Sequence, residues 1–68
     1  MPDMIFAHRL KGLRTGWGWS QVDLATQAGL KQQEISNYER GVQRPGVLRL
    51  KKLAAVFGVT VDSLVEGW

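Results

Sequence analysis

The sequence contains no cysteine, and that absence excludes several kinds of chemistry. Without thiols the chain has no disulfide framework, no thiolate nucleophile and no zinc–thiolate site. It has a single histidine, His8, whereas a metal site needs several convergent ligands, so we expect His8 to be a surface or half-buried residue. No serine has a histidine at a helical spacing or an obvious acidic partner, so a hydrolase triad has no support. We therefore expect no enzymatic activity, no metal and no cofactor.

Long apolar runs are also absent. No segment approaches the ~18 consecutive apolar residues that a membrane span requires. The N-terminal stretch MPDMIFAHRL lacks a basic region followed by a long apolar run, so it does not have the form of a signal peptide. We expect a soluble protein of the cytoplasm, a compartment that also suits a chain without cysteine.

Strand patterns are missing as well. Nothing alternates cleanly between apolar and polar residues, and the one β-branched run, residues 59–61, is too short for a strand. Apolar residues instead recur at helical spacing, with Ser20 as a start signal and Gly29, Gly41 and Gly58 as stop signals. The chain is therefore predicted to be all-α, with five short helices at residues 3–15, 20–28, 47–57 and 61–66 and, for the third, from residue 31 or 32 to residue 40.

The same spacing predicts which side chains form the core. A chain of 68 residues hides only about 60% of its extended surface on folding, so we expect one small core and a single domain over residues 1–68. The expected core residues are Ile5, Phe6, Leu10, Leu13, Trp19, Leu24, Ala25, Ala28, Ile35, Tyr38, Val47, Leu50, Leu53, Ala54, Phe57 and Leu64.

Positive charge is concentrated in the middle of the chain. The net charge is only +3, but residues 31–52 carry six basic and two acidic side chains, whereas the rest of the chain carries three basic and four acidic ones. Taken alone, this asymmetry is typical of a solvated surface. It also indicates where a polyanion would be met.

The second and third predicted helices are separated only by Gly29, Leu30 and Lys31. Two short helices joined by so tight a turn must cross steeply, which is the helix-turn-helix arrangement. Its second helix presents its first residues to the DNA major groove, and here these are Gln32 and Gln33. A glutamine amide can donate and accept at once, so it can pair with the N6 and N7 edge of adenine. Ordinary solvated amides at a helix start are the alternative interpretation.

Four segments extend this pattern over residues 10–64, namely LKGLR, WSQVDLATQAGLKQQEISNYERG, RPG and LKKLAAVFGVTVDSL. In this order they resemble the Cro/CI (XRE-type) helix-turn-helix family of phage repressors and small bacterial transcriptional regulators. The resemblance implies a lambda-repressor-like DNA-binding domain with its motif at about residues 20–40. The KQQ start is especially similar to lambdoid repressors whose recognition helix opens with paired glutamines.

The resemblance also implies roles for individual residues. Gln21, at the head of the first motif helix, would hold a DNA phosphate and brace the recognition helix. Arg14 would pair with Glu39 as a structural ion pair that ties the first helix to the recognition helix. The residues expected to read bases are Gln32, Gln33, Ser36 and Asn37, although Asn37 could equally be a polar surface residue.

The charged residues around this helix are interpreted from their chemistry. Lys31, Arg40 and Arg44 are expected to contact phosphates, which fixes register and makes binding depend on salt. Lys31 replaces the Ser, Thr or Asp usual in the family, so a helix cap of ~1 kcal/mol is lost and phosphate attraction explains the lysine better. Glu34 is a complication, because a carboxylate repels phosphate, although it could accept from cytosine N4. Arg49 is expected on solvated helix surface, within reach of the DNA backbone.

Together these features predict a sequence-specific, double-stranded DNA-binding transcriptional regulator associated with the nucleoid. We expect a repressor that binds a palindromic operator as a homodimer. Leu48, Val65 and Trp68 are apolar residues that the core need not absorb, so the dimer contact is expected in the C-terminal helix region. The main alternative is a protein-interaction module, such as an antitoxin with a small protein partner. Co-purification with such a partner would favour the alternative, and steep loss of DNA affinity with salt would favour the regulator.

Overall fold

The computed structural model describes residues 4–67, and within them the chain forms five helices and no strand. The helices are α1 (Met4–Gly16), α2 (Gln21–Ala28), α3 (Gln32–Glu39), α4 (Val47–Phe57) and α5 (Val61–Val65). The all-α prediction is confirmed, and the predicted helix bounds agree to within about one residue. The predicted start of the first helix at Asp3 lies outside the described residues.

Each helix contributes one completely buried aliphatic side chain to a shared core. These are Leu10, Leu24, Ile35, Leu53 and Leu64, all with 0% exposure. Burying one such side chain stabilises the fold by roughly 1.5–3 kcal/mol, so all five helices depend on the same centre. The other predicted core residues found buried are Phe6, Ala25, Ala28, Tyr38, Leu50, Ala54 and Phe57.

The prediction of a core position is wrong for two residues. Ile5 is 50% exposed, because at 100° per residue it lies on the side of α1 opposite Leu10. Val47 has the correct angular position on α4, but it is the first residue of that helix and remains 68% exposed. Periodicity therefore identified the inner face of α4 without showing how far along the helix the core extends.

The turn between α1 and α2 carries two stacked tryptophans. Trp19 is half-buried against the core, with its ring 6.0 Å from that of Phe57. Trp17 is exposed and stacks on Trp19 at 5.2 Å between ring centroids. The core position predicted for Trp19 is thus partly buried, and Trp17 covers its outer side.

The helix ends are satisfied by side chains from near and far in the sequence. Ser20 and Asp23 form a reciprocal capping box at the start of α2, as their spacing predicts. Arg9 of α1 donates to the carbonyl oxygens of Ser63, Leu64 and Glu66, which lie at the end of α5. A cation at a helix C-terminus also interacts favourably with the helix dipole. None of the helices in the described chain is long and apolar enough to cross a membrane.

Candidate nucleic-acid interface

The turn between α2 and α3 sets the position of the recognition helix. Gly29 has a left-handed backbone with φ 68°, and the N–H of Leu30 donates to the carbonyl of Ala25 at 2.9 Å. This closes α2 as a glycine C-cap does. Lys31 then takes an extended backbone and α3 begins at Gln32. The short turn, with Leu30 packed against the core, holds α3 firmly against α2.

Helix α3 has two chemically different sides. Ile35, Tyr38 and Glu39 are buried, at the i, i+3, i+4 spacing that defines one helix face. The four residues predicted to read bases are not among the buried residues of this helix. Gln32 and Gln33 are exposed, and Ser36 and Asn37 are half-buried. The paired amides thus stand at the surface and are not packed under their own chain.

The buried side of α3 is anchored to α1 by Arg14 and Glu39. The Nε and Nη2 atoms of Arg14 donate to the two carboxylate oxygens of Glu39 at 2.6 and 3.0 Å. A third Arg14 nitrogen donates to the carbonyl of Trp19 at 2.7 Å. The hydrogen bond to Glu39 raises the pKa of Arg14, burial opposes this, and the charge of Glu39 adds to the rise. The ion pair is bidentate, a geometry that gives orientation as well as energy.

A relay of hydrogen bonds connects this ion pair to the surface amide of Gln32. Gln21 donates through Nε2 to Glu39 Oε1 at 3.3 Å, and Gln32 donates through Nε2 to Gln21 Oε1 at 2.9 Å. A carboxylate can only accept, so Gln21 must turn its NH₂ group towards Glu39 and its oxygen towards Gln32. Gln32 is left with a carbonyl oxygen and one N–H that the relay does not use.

A second network links Gln33 to the residues that follow α3. Asn37 Oδ1 accepts from Gln33 Nε2 at 3.0 Å and from Arg40 Nη2 at 2.6 Å. Asn37 in turn donates through Nδ2 to Gln43 Oε1 at 3.2 Å. Because two donors occupy its oxygen, Asn37 offers a ligand mainly its remaining N–H. The contact of Gln43 with Asn37 was not predicted from the sequence, because a glutamine in a loop is not part of any helical spacing pattern.

Glu34 and Arg49 form an ion pair across the first turns of α3 and α4. Arg49 Nη2 donates to Glu34 Oε1 at 3.2 Å. The hydrogen bond from Arg49 is the largest cause of a lowered Glu34 pKa. Burial opposes it, and the charge of Arg49 and the backbone N–H and charge of Lys31 add to the lowering. Arg49 was predicted to lie on solvated helix surface, and this ion pair was not predicted. Two oppositely charged residues 15 positions apart give no local signal.

The predicted phosphate-contacting cations lie at both ends of α3. Lys31 is exposed at the first end, and Arg40 and Arg44 are exposed at and beyond the last. Lys31 makes no side-chain cap to α3, so it adds charge at this position but no helix-capping bond. Within the described residues no group of acidic or histidine side chains could hold a metal ion.

Comparison with known proteins agrees with this arrangement. A helix-turn-helix family profile matches residues 10–64. The SPbeta prophage-derived uncharacterized HTH-type transcriptional regulator YonR of Bacillus subtilis is 38% identical over 63 residues, which are 93% of this chain and 58% of the relative. This chain spans about half the length of the curated relatives that it matches.

Solved structures give the same result. SinR, the Bacillus subtilis master regulator for biofilm formation, matches in its complex with DNA with a TM-score of 0.86 and 33% identity over 91% of this chain and 100% of that one. SinR also matches in its complex with SinI, with a TM-score of 0.87 and 33% identity over 93% and 62% of the two chains.

A third similar protein is the restriction-modification controller C.AhdI of Aeromonas hydrophila. It matches with a TM-score of 0.84 and 33% identity over 90% of this chain and 92% of that one. The profile match covers more than half of the chain. SinR and C.AhdI are similar to this chain in fold and are 33% identical to it in sequence. The chain therefore belongs to the XRE-type helix-turn-helix family, a non-enzymatic family of DNA-binding domains.

Proposed function

We propose that this protein is a sequence-specific, double-stranded DNA-binding transcriptional regulator, with residues 1–68 acting as one domain. The observation that carries the proposal is the outer side of α3, where surface amides lie between Lys31 and the Arg40–Arg44 cations. Amides distinguish base edges, and cations attract the phosphates on either side of a groove. Such a protein would act in the cytoplasm, at the nucleoid.

Gln32 is the leading candidate for base recognition. The relay through Gln21 uses one N–H of its amide and leaves the oxygen and the other N–H. These are the acceptor and the donor that adenine requires, since adenine offers an N6 donor and an N7 acceptor in the major groove. Restraint by Gln21 also lowers the entropy that Gln32 would lose on binding.

Gln33, Asn37 and Ser36 extend the proposed reading surface along α3. Gln33 spends one N–H on Asn37 and keeps an acceptor and a donor. Asn37 keeps a donor only, which suits acceptors such as guanine O6 and N7 or thymine O4. Ser36 is half-buried one turn after Gln32, where a hydroxyl could contact either kind of group.

Phosphate contacts are assigned to Gln21, Lys31, Arg40 and Arg44. The three cations would supply most of the sequence-independent affinity and would make it fall steeply with salt. Gln21 has two roles in this proposal. It would hold a phosphate, and its side-chain oxygen accepts the hydrogen bond that orients Gln32.

The finer proposal is a repressor that binds a palindromic operator as a homodimer. Two recognition helices would meet successive major-groove faces about 34 Å apart, and the bound dimer would exclude other proteins from that DNA. Leu48 supports an apolar contact at the dimer interface, since it is 66% exposed on α4. Val65 is partly buried against the core, and Trp68 lies outside the described residues.

Selection of bound sequences from random duplex DNA tests the proposed function. We expect recovery of one sequence family, with affinity that falls by orders of magnitude between low and moderate salt. Recovery of no preferred sequence, together with weak binding that does not respond to salt, would refute it.

The second candidate function is a protein-interaction module, and the similarity to SinR in complex with SinI favours it. A small protein partner could pack against exposed apolar side chains such as Leu48. The two functions are compatible. Stable co-purification of a small partner that competes with duplex DNA would support the second.

A further inference from the structure

Glu34 is a negative charge on the side of the molecule proposed to meet DNA. It lies in the first turn of α3, directly after the paired glutamines and one turn from Lys31. Its side chain is only 24% exposed, and Arg49 reaches it from the first turn of α4 at 3.2 Å. A carboxylate at the head of a recognition helix would repel phosphates unless something offsets its charge.

The two oxygens of Glu34 are in different environments. Oε1 accepts from Arg49, whereas Oε2 is shielded from solvent and has no hydrogen-bond partner. Neither oxygen is therefore presented outwards as an acceptor, which argues against contact with cytosine N4. The carboxylate is held in the charged form, because Arg49 and Lys31 both lower the pKa of Glu34.

We propose that Arg49 is a positioning residue for DNA binding, which acts through Glu34 by offsetting its charge and holding the carboxylate back from the duplex. This inference rests on the proposed function. It differs from the simpler role of an α4 cation that contacts a phosphate directly. If Arg49 contacts a phosphate directly, its contribution to DNA affinity is independent of Glu34. If Arg49 is a positioning residue, that contribution disappears when Glu34 is replaced by a neutral residue.

A double-mutant cycle separates the two roles. The affinities of the wild type, Arg49→Met, Glu34→Gln and the double variant are measured against the duplex recovered by selection and against a random duplex of equal length. We expect Arg49→Met to weaken both interactions about fivefold at low salt, because an exposed carboxylate repels any sequence. The double variant should bind like Glu34→Gln alone. The loss in Arg49→Met should shrink as salt screens the carboxylate.

Lys52→Met is the matched control, since Lys52 is an exposed cation on the same helix. Its effect on affinity should be the same whether Glu34 is present or replaced by glutamine. Arg49 is 47% exposed, so the ion pair contributes little to stability and all of the variants should fold. Circular dichroism and thermal melts establish this before binding is compared.

Two results would overturn the inference. An equal loss from Arg49→Met in both Glu34 backgrounds would assign Arg49 to a direct phosphate contact. No loss in either background would mean that the charge of Glu34 has no influence on DNA. Failure of the proposed function would look different, because the wild type itself would then show no preference for the selected duplex.

Discussion

The amide of Gln32 is oriented by two residues behind it, the half-buried Gln21 and the buried Glu39. Glu39 fixes the orientation of Gln21, and Gln21 fixes that of Gln32, so a buried ion pair decides which atoms the recognition helix presents. The neutral bond between Gln32 and Gln21 contributes only about 0.5–1.5 kcal/mol to stability, and a bond to a charged group such as Glu39 about 1.5–3 kcal/mol. Their greater effect is to reduce the number of orientations that the Gln32 amide can adopt.

Lys31→Ser tests whether the lysine at the start of α3 lowers stability, by replacing a capping residue, while it raises DNA affinity through its charge. The serine can cap the helix, so we expect the free energy of unfolding to rise by about 1 kcal/mol. DNA affinity should fall, and the slope of log affinity against log salt should decrease by about 0.9 for each bound protomer, the value for one lost phosphate contact. Denaturant melts and a salt titration of duplex binding measure the two effects.

Gly46→Ser is the control for that experiment. Gly46 has an extended backbone at the start of α4, and a Cβ there would meet nothing within 4 Å. The substitution adds a cap without removing a charge, so stability should rise by a few tenths of a kcal/mol with the salt slope unchanged. If Lys31→Ser also left the salt slope unchanged, Lys31 would have no phosphate contact.

Tyr38 provides a pH-dependent prediction at the same scale. Burial raises the pKa of this phenol, and the nearby charge of Glu34 raises it further. The folded state therefore holds the proton more tightly than the unfolded state. Stability should be full below the ordinary pKa of 10.0 and should fall as the pH rises above it. Because Tyr38 is the only tyrosine, phenolate absorbance reports its titration alone.

The Tyr38→Phe variant isolates this effect from the deprotonation of lysines. The denaturation midpoint of this variant should fall less above pH 10 than that of the wild type, because the variant has no phenol to deprotonate. A wild-type phenolate midpoint at or below 10.0 would contradict the role of burial.

At the scale of the helix, two glycines should respond to alanine in opposite directions. Gly12 lies inside α1, where an added Cβ would meet nothing within 4 Å, so Gly12→Ala should stabilise the fold by about 1 kcal/mol. Gly29 ends α2 with φ 68°, so Gly29→Ala should destabilise it by about 1–2 kcal/mol. Thermal melts should separate the two variants by about 15–20 °C. A neutral Gly29→Ala would contradict the strain assigned to the turn.

Local signals in the sequence were sufficient to predict the helices. Ser20 and Asp23 gave the start of α2, Gly29 its end, and Gly58 the end of α4, because each acts within one turn of itself. The inner faces of the other helices followed from helical spacing, whereas Ile5 was wrongly placed on the inner face of α1. The error at Val47 arose because burial at a helix end depends on which other element covers it.

The candidate site could be predicted only in part. The surface position of Gln32 and Gln33 follows from the tight turn and the inward position of Ile35. The contacts of Glu34 with Arg49, and of Arg9 with the end of α5, join residues 15 to 57 positions apart. Such pairs exist only after the helices have packed, so no short-range pattern indicates them.

For the whole molecule, the proposed dimer makes a direct prediction. Leu48 and Val22 are similarly exposed, at 66% and 58%, but only Leu48 belongs to the proposed interface. Leu48→Asp should shift the protein towards the monomer in sedimentation and weaken binding to a two-half-site duplex, because a buried carboxylate opposes association. Val22→Asp should leave the oligomeric state unchanged. Equal sedimentation of wild type and Leu48→Asp would exclude Leu48 from the interface.

The most direct measurement compares Gln32→Ala with the wild type on the selected duplex and on random DNA of the same length. Loss of one bidentate base contact should cost ~1–3 kcal/mol for each half-site of the selected duplex and almost nothing on random DNA. Gln27→Ala, at an exposed glutamine of α2, serves as the control and should change neither affinity. An equal fall on both duplexes would make Gln32 a backbone contact and would contradict recognition by the head of α3.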